Sequence, residues 1–84
     1  MDSYLYQKMC KEYLIDLYKN KFDIELIIED IFVTWSCKTL QNNKVLLSTN
    51  VEDGRYFEFT YNGDKKEIYV DMYKKELNKV IEVK

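Results

Sequence analysis

Only one stretch of this chain carries a helical period, and it comes first. In SYLYQKMCKEYLIDLYKNK (3–21) the residues Leu5, Tyr6, Met9, Cys10, Tyr13, Leu14 and Leu17 recur at three- and four-residue intervals, the spacing that aligns one stripe of an α-helix. Gln7, Lys8, Lys11, Glu12, Asp16 and Lys19 take the opposite side. Asp2 or Ser3 is the expected cap at the start, and Asn20 a left-handed stop. A lone helix must bury its stripe, so the rest of the chain has to supply a face to receive it.

The rest is a series of short segments cut by polar turns. IFVTWSCK (31–38), KVLLSTN (44–50), YFEFTY (56–61) and EIYVDMY (67–73) are rich in β-branched and aromatic residues, and KVIEV (79–83) is a weaker fifth. Between them lie TLQNN (39–43), Asp53-Gly54 and Asn62-Gly63, the last with the sequence of a type I′ hairpin turn. Strands joined this way form an antiparallel meander. Segment 23–30 fits a helical extension, a short strand or a packed connection equally well. The expected fold is α+β, a single domain over 1–84. Its one N-terminal helix packs on one face of a four- or five-stranded antiparallel sheet spanning about 31–83.

Strand alternation sorts the side chains between two faces. Ile31, Val33, Trp35 and Cys37 fall on the helix side with Val45, Leu47, Phe57, Phe59, Tyr61, Ile68, Val70 and Met72. Phe32, Thr34, Ser36 and Lys38 fall on the other side, as do Lys44, Leu46, Ser48, Tyr56, Glu58, Thr60, Glu67, Tyr69, Asp71 and Tyr73. No second helical pattern exists to cover this mixed face, which therefore meets water, a partner or a second copy. A small core beside an uncovered face or edge makes a homodimer the expectation.

Composition narrows the partners. The net charge is −2, with no histidine and a single arginine, Arg55. Duplex binding relies on Lys and Arg neutralising phosphates, and the chain has no basic excess, so nucleic acid ranks low. Cys10 and Cys37 stand far apart, and a zinc site needs about four N or S ligands. No metal or cofactor is expected, and two reduced, buried thiols are favoured over a disulfide. Charged residues interrupt the N-terminal apolar positions, so no signal peptide is expected. No apolar run approaches the roughly 20 residues that span a bilayer. The expected setting is cytoplasmic. Eight Tyr, four Phe and one Trp supply core first and contact surface second.

Catalytic chemistry finds little support. A nucleophilic Cys37 needs an activating base, and only Lys38 or Lys44 is near in sequence. Ser36 and Ser48 lack a nucleophile elbow. Glu58, Glu67 and Asp71 share a face, but exposed carboxylates of this kind are usually solvated or paired to lysines. Gly54 and Gly63 both sit in turns, so no phosphate-cradling loop is present. The chain is expected not to be an enzyme. The turn Lys38-Thr39-Leu40-Gln41-Asn42-Asn43-Lys44 differs in kind, because it sets hydrogen-bonding side chains between two lysines at a hairpin tip. Such donors suit a phosphate, a nucleotide edge or protein carbonyls. The candidate binding residues are Ser36, Lys38, Thr39, Gln41, Asn42, Asn43, Lys44, Ser48, Glu58, Tyr69 and Asp71.

The blocks IFVTWSCKTLQNNKVLLST and DGRYFEFTYNGDKKEIYVDMYKK resemble an uncharacterised family of short phage and prophage proteins of Firmicutes. Its members carry V-W-S-C-K-T-L-Q-N-N-K-x-L-L-S-T, a turn, then T-Y-N-G-D-K-x-E-x-Y. The likeness covers residues 31–75, and Thr34 stands where the family pattern has an apolar residue. The resemblance implies phage ancestry without an assigned activity, and an accessory role of the kind that often counters host defences. The expected function is non-catalytic counter-defence, by blocking a host defence protein or sequestering a nucleotide-type immune signal. The alternative is a phage factor that binds nucleic acid or the host replication or transcription machinery.

Overall fold

A computed structural model describes residues 2–83 of the chain. Helix α1 spans Ser3–Phe22. The Asp2 carboxylate accepts the Tyr4 amide at 3.3 Å and caps the start. The helix runs past Asn20 and stops at Asp23, whose φ of 56° is left-handed. The amides of Asp23 and Ile24 both donate to the Tyr18 carbonyl, so one carbonyl of the last turn is satisfied twice over.

The buried row of α1 is Tyr6, Cys10, Leu14 and Tyr18, a strict four-residue step. Leu5, Met9 and Tyr13, expected in the stripe, are exposed. A straight helix laid on a sheet touches it along one such row, so the flanking positions stay at the margins.

Segment 23–30 is a connection that ends in a single 3₁₀ turn, Ile28–Asp30. Asp30 fixes it: one carboxylate oxygen accepts the Ile27 amide at 2.9 Å and the other the Asn50 side chain at 2.8 Å. The strands β1 (Ile31–Thr39), β2 (Asn42–Thr49), β3 (Arg55–Asn62) and β4 (Glu67–Lys74) follow in spatial order β1-β2-β3-β4, all antiparallel. Residues 79–83 form no fifth strand. The architecture is the expected α+β arrangement, with four strands.

The core lies between α1 and the middle of the sheet. Val45, Leu47, Phe57 and Phe59 are essentially sealed beneath Tyr6, Cys10, Leu14 and Tyr18, with Ile31 and Leu26 closing one end. Tyr18 meets Phe57 edge-on at 5.6 Å between ring centres, and Tyr13 meets Phe59 at 6.0 Å. Tyr18 also donates its hydroxyl to Asp53 at 2.9 Å, and Asp53 holds Arg55 at 2.7 Å. The Arg55 guanidinium lies 4.0 Å from the centre of the Phe22 ring. Strand β4 is left at the margin of the helix. Ile68 and Val70 are half-buried and Met72, placed in the core by alternation, is exposed.

One departure reorganises β1. Val33 faces Leu47, but the next cross-strand pair is Trp35 with Leu46, so Thr34 is an extra residue and β1 bulges there. The Thr34 hydroxyl donates to the Leu46 carbonyl at 3.0 Å, bonding to the partner strand where the ladder is interrupted. An inserted residue reverses the side-chain parity of everything after it. Trp35 and Cys37 therefore leave the helix side for the outer face, and Ser36 and Lys38 make the opposite move. Trp35 is 52% exposed and Cys37 is an exposed free thiol, against the expectation that both lie in the core. Cys10 is free and buried as expected.

Candidate functional site

The outer face of the sheet is uncovered, and the strand register arranges it in three rows. Phe32, Ser48, Tyr56 and Tyr73 form the first, Trp35, Leu46, Glu58 and Asp71 the second, and Cys37, Lys44, Thr60 and Tyr69 the third. Tyr56 and Tyr73 stack at 5.1 Å with 15° between their planes. Phe32, Trp35, Tyr56, Tyr69 and Tyr73 are each at least 38% exposed. The bulge matters here, because without it Trp35 would be spent on the core.

Charge on this face is mixed. Lys44 reaches Glu58 at 3.6 Å, a pair exposed enough to add little stability. Tyr69 donates its hydroxyl to Glu67 at 2.7 Å, and that bond raises the Tyr69 phenol above its usual range. The negative charge of Glu58, with Asp71 adding to it, raises the Tyr73 phenol likewise. Tyr69 and Tyr73 therefore each lie beside a carboxylate.

The hairpin tip is more committed to structure than its sequence suggests. Leu40 adopts a left-handed φ of 55° and is 84% exposed; such a conformation costs a residue with a Cβ roughly 1–2 kcal/mol. The Gln41 side chain donates to Asp64 at 2.8 Å, and the Asn42 side chain accepts the Gly63 amide at 3.1 Å. The two hairpin tips touch so closely that a Cβ on Gly63 would lie 2.3 Å from the Gln41 carbonyl oxygen. Gly63 is thus required for close approach, not for a two-residue type I′ turn. Asn62 pairs with Glu67, which leaves Gly63–Lys66 as the loop, and the left-handed residue is Lys66. The Asn62 side chain accepts the amides of Asp64 and Lys65.

On the helix side of the tip lies a polar pocket of about 90 Å³, lined in part by Ser3, Tyr6, Gln7, Ser36, Lys38 and Asn43. Tyr6 and Asn43 are 2% and 4% exposed, and among the described residues neither the Tyr6 hydroxyl nor the Asn43 side-chain nitrogen has a nitrogen or oxygen partner, the Cys10 thiol alone lying beside the Tyr6 hydroxyl. Burial, with the neighbouring Cys10 adding to it, raises the Tyr6 phenol far above its ordinary range. A shallower depression of about 220 Å³ lies on the outer side, lined by Trp35, Cys37, Thr39, Asn42, Lys44 and Thr60 among others.

The candidate binding residues thus divide. Thr39, Lys44, Ser48, Glu58, Tyr69 and Asp71 belong to the outer face. Ser36, Lys38 and Asn43 line the polar pocket across the sheet, while Gln41 and Asn42 tie the two tips together. Trp35 and Leu40 were not singled out by sequence: alternation hid the first, and nothing marks a left-handed leucine in advance. Among the described residues, no three metal-ligating side chains cluster and no helix is long and apolar enough to cross a membrane. The Cys37 sulfur lies 3.7 Å from the Thr39 hydroxyl.

The chain matches a family of unknown function, DUF6275, over residues 7–83, and belongs to it. No curated protein and no solved structure matches it.

Proposed function

We propose that this chain is a small non-catalytic accessory protein of a phage or prophage, which binds and blocks a host protein in the host cytoplasm through its outer sheet face. The observation that carries this reading is the uncovered three-row face, where five exposed aromatic rings surround a mixed-charge centre. Trp and Tyr are the residues that most often anchor protein interfaces, because each covers a large area with few rotatable bonds. The strained, exposed Leu40 at the tip adds an apolar anchor beside that face. The resemblance of residues 31–75 to phage and prophage proteins supports the phage setting, and counter-defence is the accessory role it favours.

Magnitudes rank the other partners lower. Small-molecule clefts usually enclose about 300–1,000 Å³, whereas the depressions flanking the β1–β2 tip hold about 90 and 220 Å³. Sequestration of a nucleotide signal is therefore less favoured than a protein contact. A nucleic acid could stack on the rings, but Glu58, Glu67 and Asp71 lie among them and would repel its phosphates.

The test is stoichiometric titration of the target's activity, with pull-down from infected host cells identifying the target. Inhibition should saturate near one chain per target. Trp35→Ala with Tyr73→Ala should abolish it, whereas Glu12→Ala with Lys19→Ala, on the exposed side of α1, should not. Equal inhibition by the face variant, or turnover of a small molecule beyond one equivalent, would refute the reading. Binding that weakens steeply with added salt would point to nucleic acid instead.

A further inference from the structure

After β4 the chain continues through Lys75–Val83 with no helix or strand, and Leu77, Val80, Ile81 and Val83 are between 77 and 92% exposed. The whole molecule shows the consequence. Its accessible surface is 6477 Å², whereas a compact chain of this mass exposes about 5,300 Å². Its radius of gyration is 14.3 Å, against about 12 Å for a compact domain of this length. The excess surface, roughly 1,200 Å², exceeds the roughly 800 Å² that each partner buries in a standard interface.

Two strands have an open edge, and they are not alike. Strand β1 is interrupted by the bulge at Thr34, a feature that discourages further pairing. Strand β4 pairs without interruption from Glu67 to Lys74. The Lys75 amide turns inward to the Gly54 carbonyl at 2.8 Å. Alternation then points the amides and carbonyls of Lys74, Met72 and Val70 out of the sheet, and an extended continuation of the strand would point those of Glu76, Asn78 and Val80 the same way.

We infer that two copies of this chain pair through β4 and the segment after it, each C-terminal segment adding as a strand to the other copy's β4 edge. A two-fold axis normal to the sheet at Lys75 sets the outward-pointing backbone groups of the two chains against each other. It pairs Lys74 with Glu76, Met72 with Asn78 and Val70 with Val80 on the helix side. On the outer side Tyr73 meets Leu77, Asp71 meets Lys79 and Tyr69 meets Ile81. The opposite-charge pairs Lys74–Glu76 and Asp71–Lys79 and the aromatic–β-branched pair Tyr69–Ile81 are of favourable cross-strand kinds. By symmetry each complementary charge pair occurs twice, while the one like pair, Lys75 with Lys75, occurs once. Val80 also comes to rest beside the apolar groove of about 250 Å³ between α1 and β4, lined in part by Met9, Tyr13, Ile68 and Val70. The helices stay apart, because the backbone of α1 comes nearest to β1 and β2, away from the joined edges.

Light scattering on the full chain across a concentration series should give twice the 10.2 kDa of one chain. Val80→Pro removes the amide that bonds to Val70 and should leave a folded monomer by circular dichroism. Asp71→Lys should weaken the dimer by roughly tenfold, and Lys79→Asp added to it should restore the pairing, which a general loss of stability would not allow. In a Cys37→Ser background, a chain carrying Tyr69→Cys and a differently tagged chain carrying Ile81→Cys should form a mixed disulfide. A monomeric wild type, a dimer that survives Val80→Pro, or a disulfide that closes only within a chain bearing both cysteines would overturn the pairing.

Discussion

Tyr6 and Tyr18 are both buried in the row of α1 that faces the sheet, yet removing their hydroxyls should shift stability in opposite directions. Among the described residues the Tyr6 hydroxyl has no nitrogen or oxygen partner, only the neighbouring Cys10 thiol, a weak acceptor, and an unpaired buried hydroxyl costs about 1–3 kcal/mol. Tyr6→Phe removes that cost and leaves a gap of roughly 10–15 Å³, worth only about 0.3 kcal/mol at the usual cavity rate. The net expectation is a gain of about 1 kcal/mol. Tyr18 instead donates to Asp53 at 2.9 Å, and a bond to a charged acceptor is worth about 1.5–3 kcal/mol. Arg55 still holds the carboxylate after Tyr18→Phe, so the loss should fall near the lower end, about 1.5 kcal/mol. The two variants should differ by about 2.5 kcal/mol, or roughly 10–20 °C in Tm for a domain of this size. Urea unfolding, followed by circular dichroism and the single Trp35, measures both. If Tyr6→Phe loses 1 kcal/mol or more, the hydroxyl has a partner in solution and the argument from an orphaned donor is wrong.

Thiol titration tests the bulge: Cys37 should react at once with a disulfide reagent and Cys10 only after unfolding. Burial pushes Cys10 up to about 11 from an ordinary 9.0, so near pH 8 its thiolate fraction falls about a hundredfold before access is considered. Two fast thiols, or a protected Cys37, would refute the placement of β1. The acid limb of stability should carry a contribution from Asp53. Burial alone would raise its carboxyl, but the Arg55 amide and guanidinium and the Tyr18 hydroxyl outweigh burial and hold it below the ordinary 3.8. A depressed folded value gives stability that is complete above the unfolded value and is lost as pH falls through the folded one. Below about pH 5, Asp53→Asn should therefore flatten the decline, and an unchanged acid limb would remove Asp53 from the account.

How far the sequence led, and where it stopped, follows from what each pattern encodes. The helix and four strands were legible because periodicity and turn residues act over a few neighbours. Phe57 and Phe59 could be assigned to the core because β3 is regular from end to end. Parity is different, since it accumulates along a strand, and one extra residue at Thr34 reverses every later assignment in β1. Trp-Ser-Cys-Lys alternates apolar and polar residues on either reading, so residue type could not reveal the reversal. The only mark is Thr34 itself, a polar residue in an apolar run whose hydroxyl can bond to the neighbouring strand's carbonyl. The hairpin tip failed for a related reason. Its polar side chains suggested a loop free to bind, but Gln41 and Asn42 are engaged by a second turn distant in the chain. That engagement depends on Gly63 admitting the Gln41 backbone, which a search for left-handed turn residues misattributes. Both departures shape the outer face: the bulge moves Trp35 onto it, and the tip contact withdraws the Gln41 and Asn42 amides from it. What remains for a partner is a set of rings and charges on rigid strands, not a polar loop.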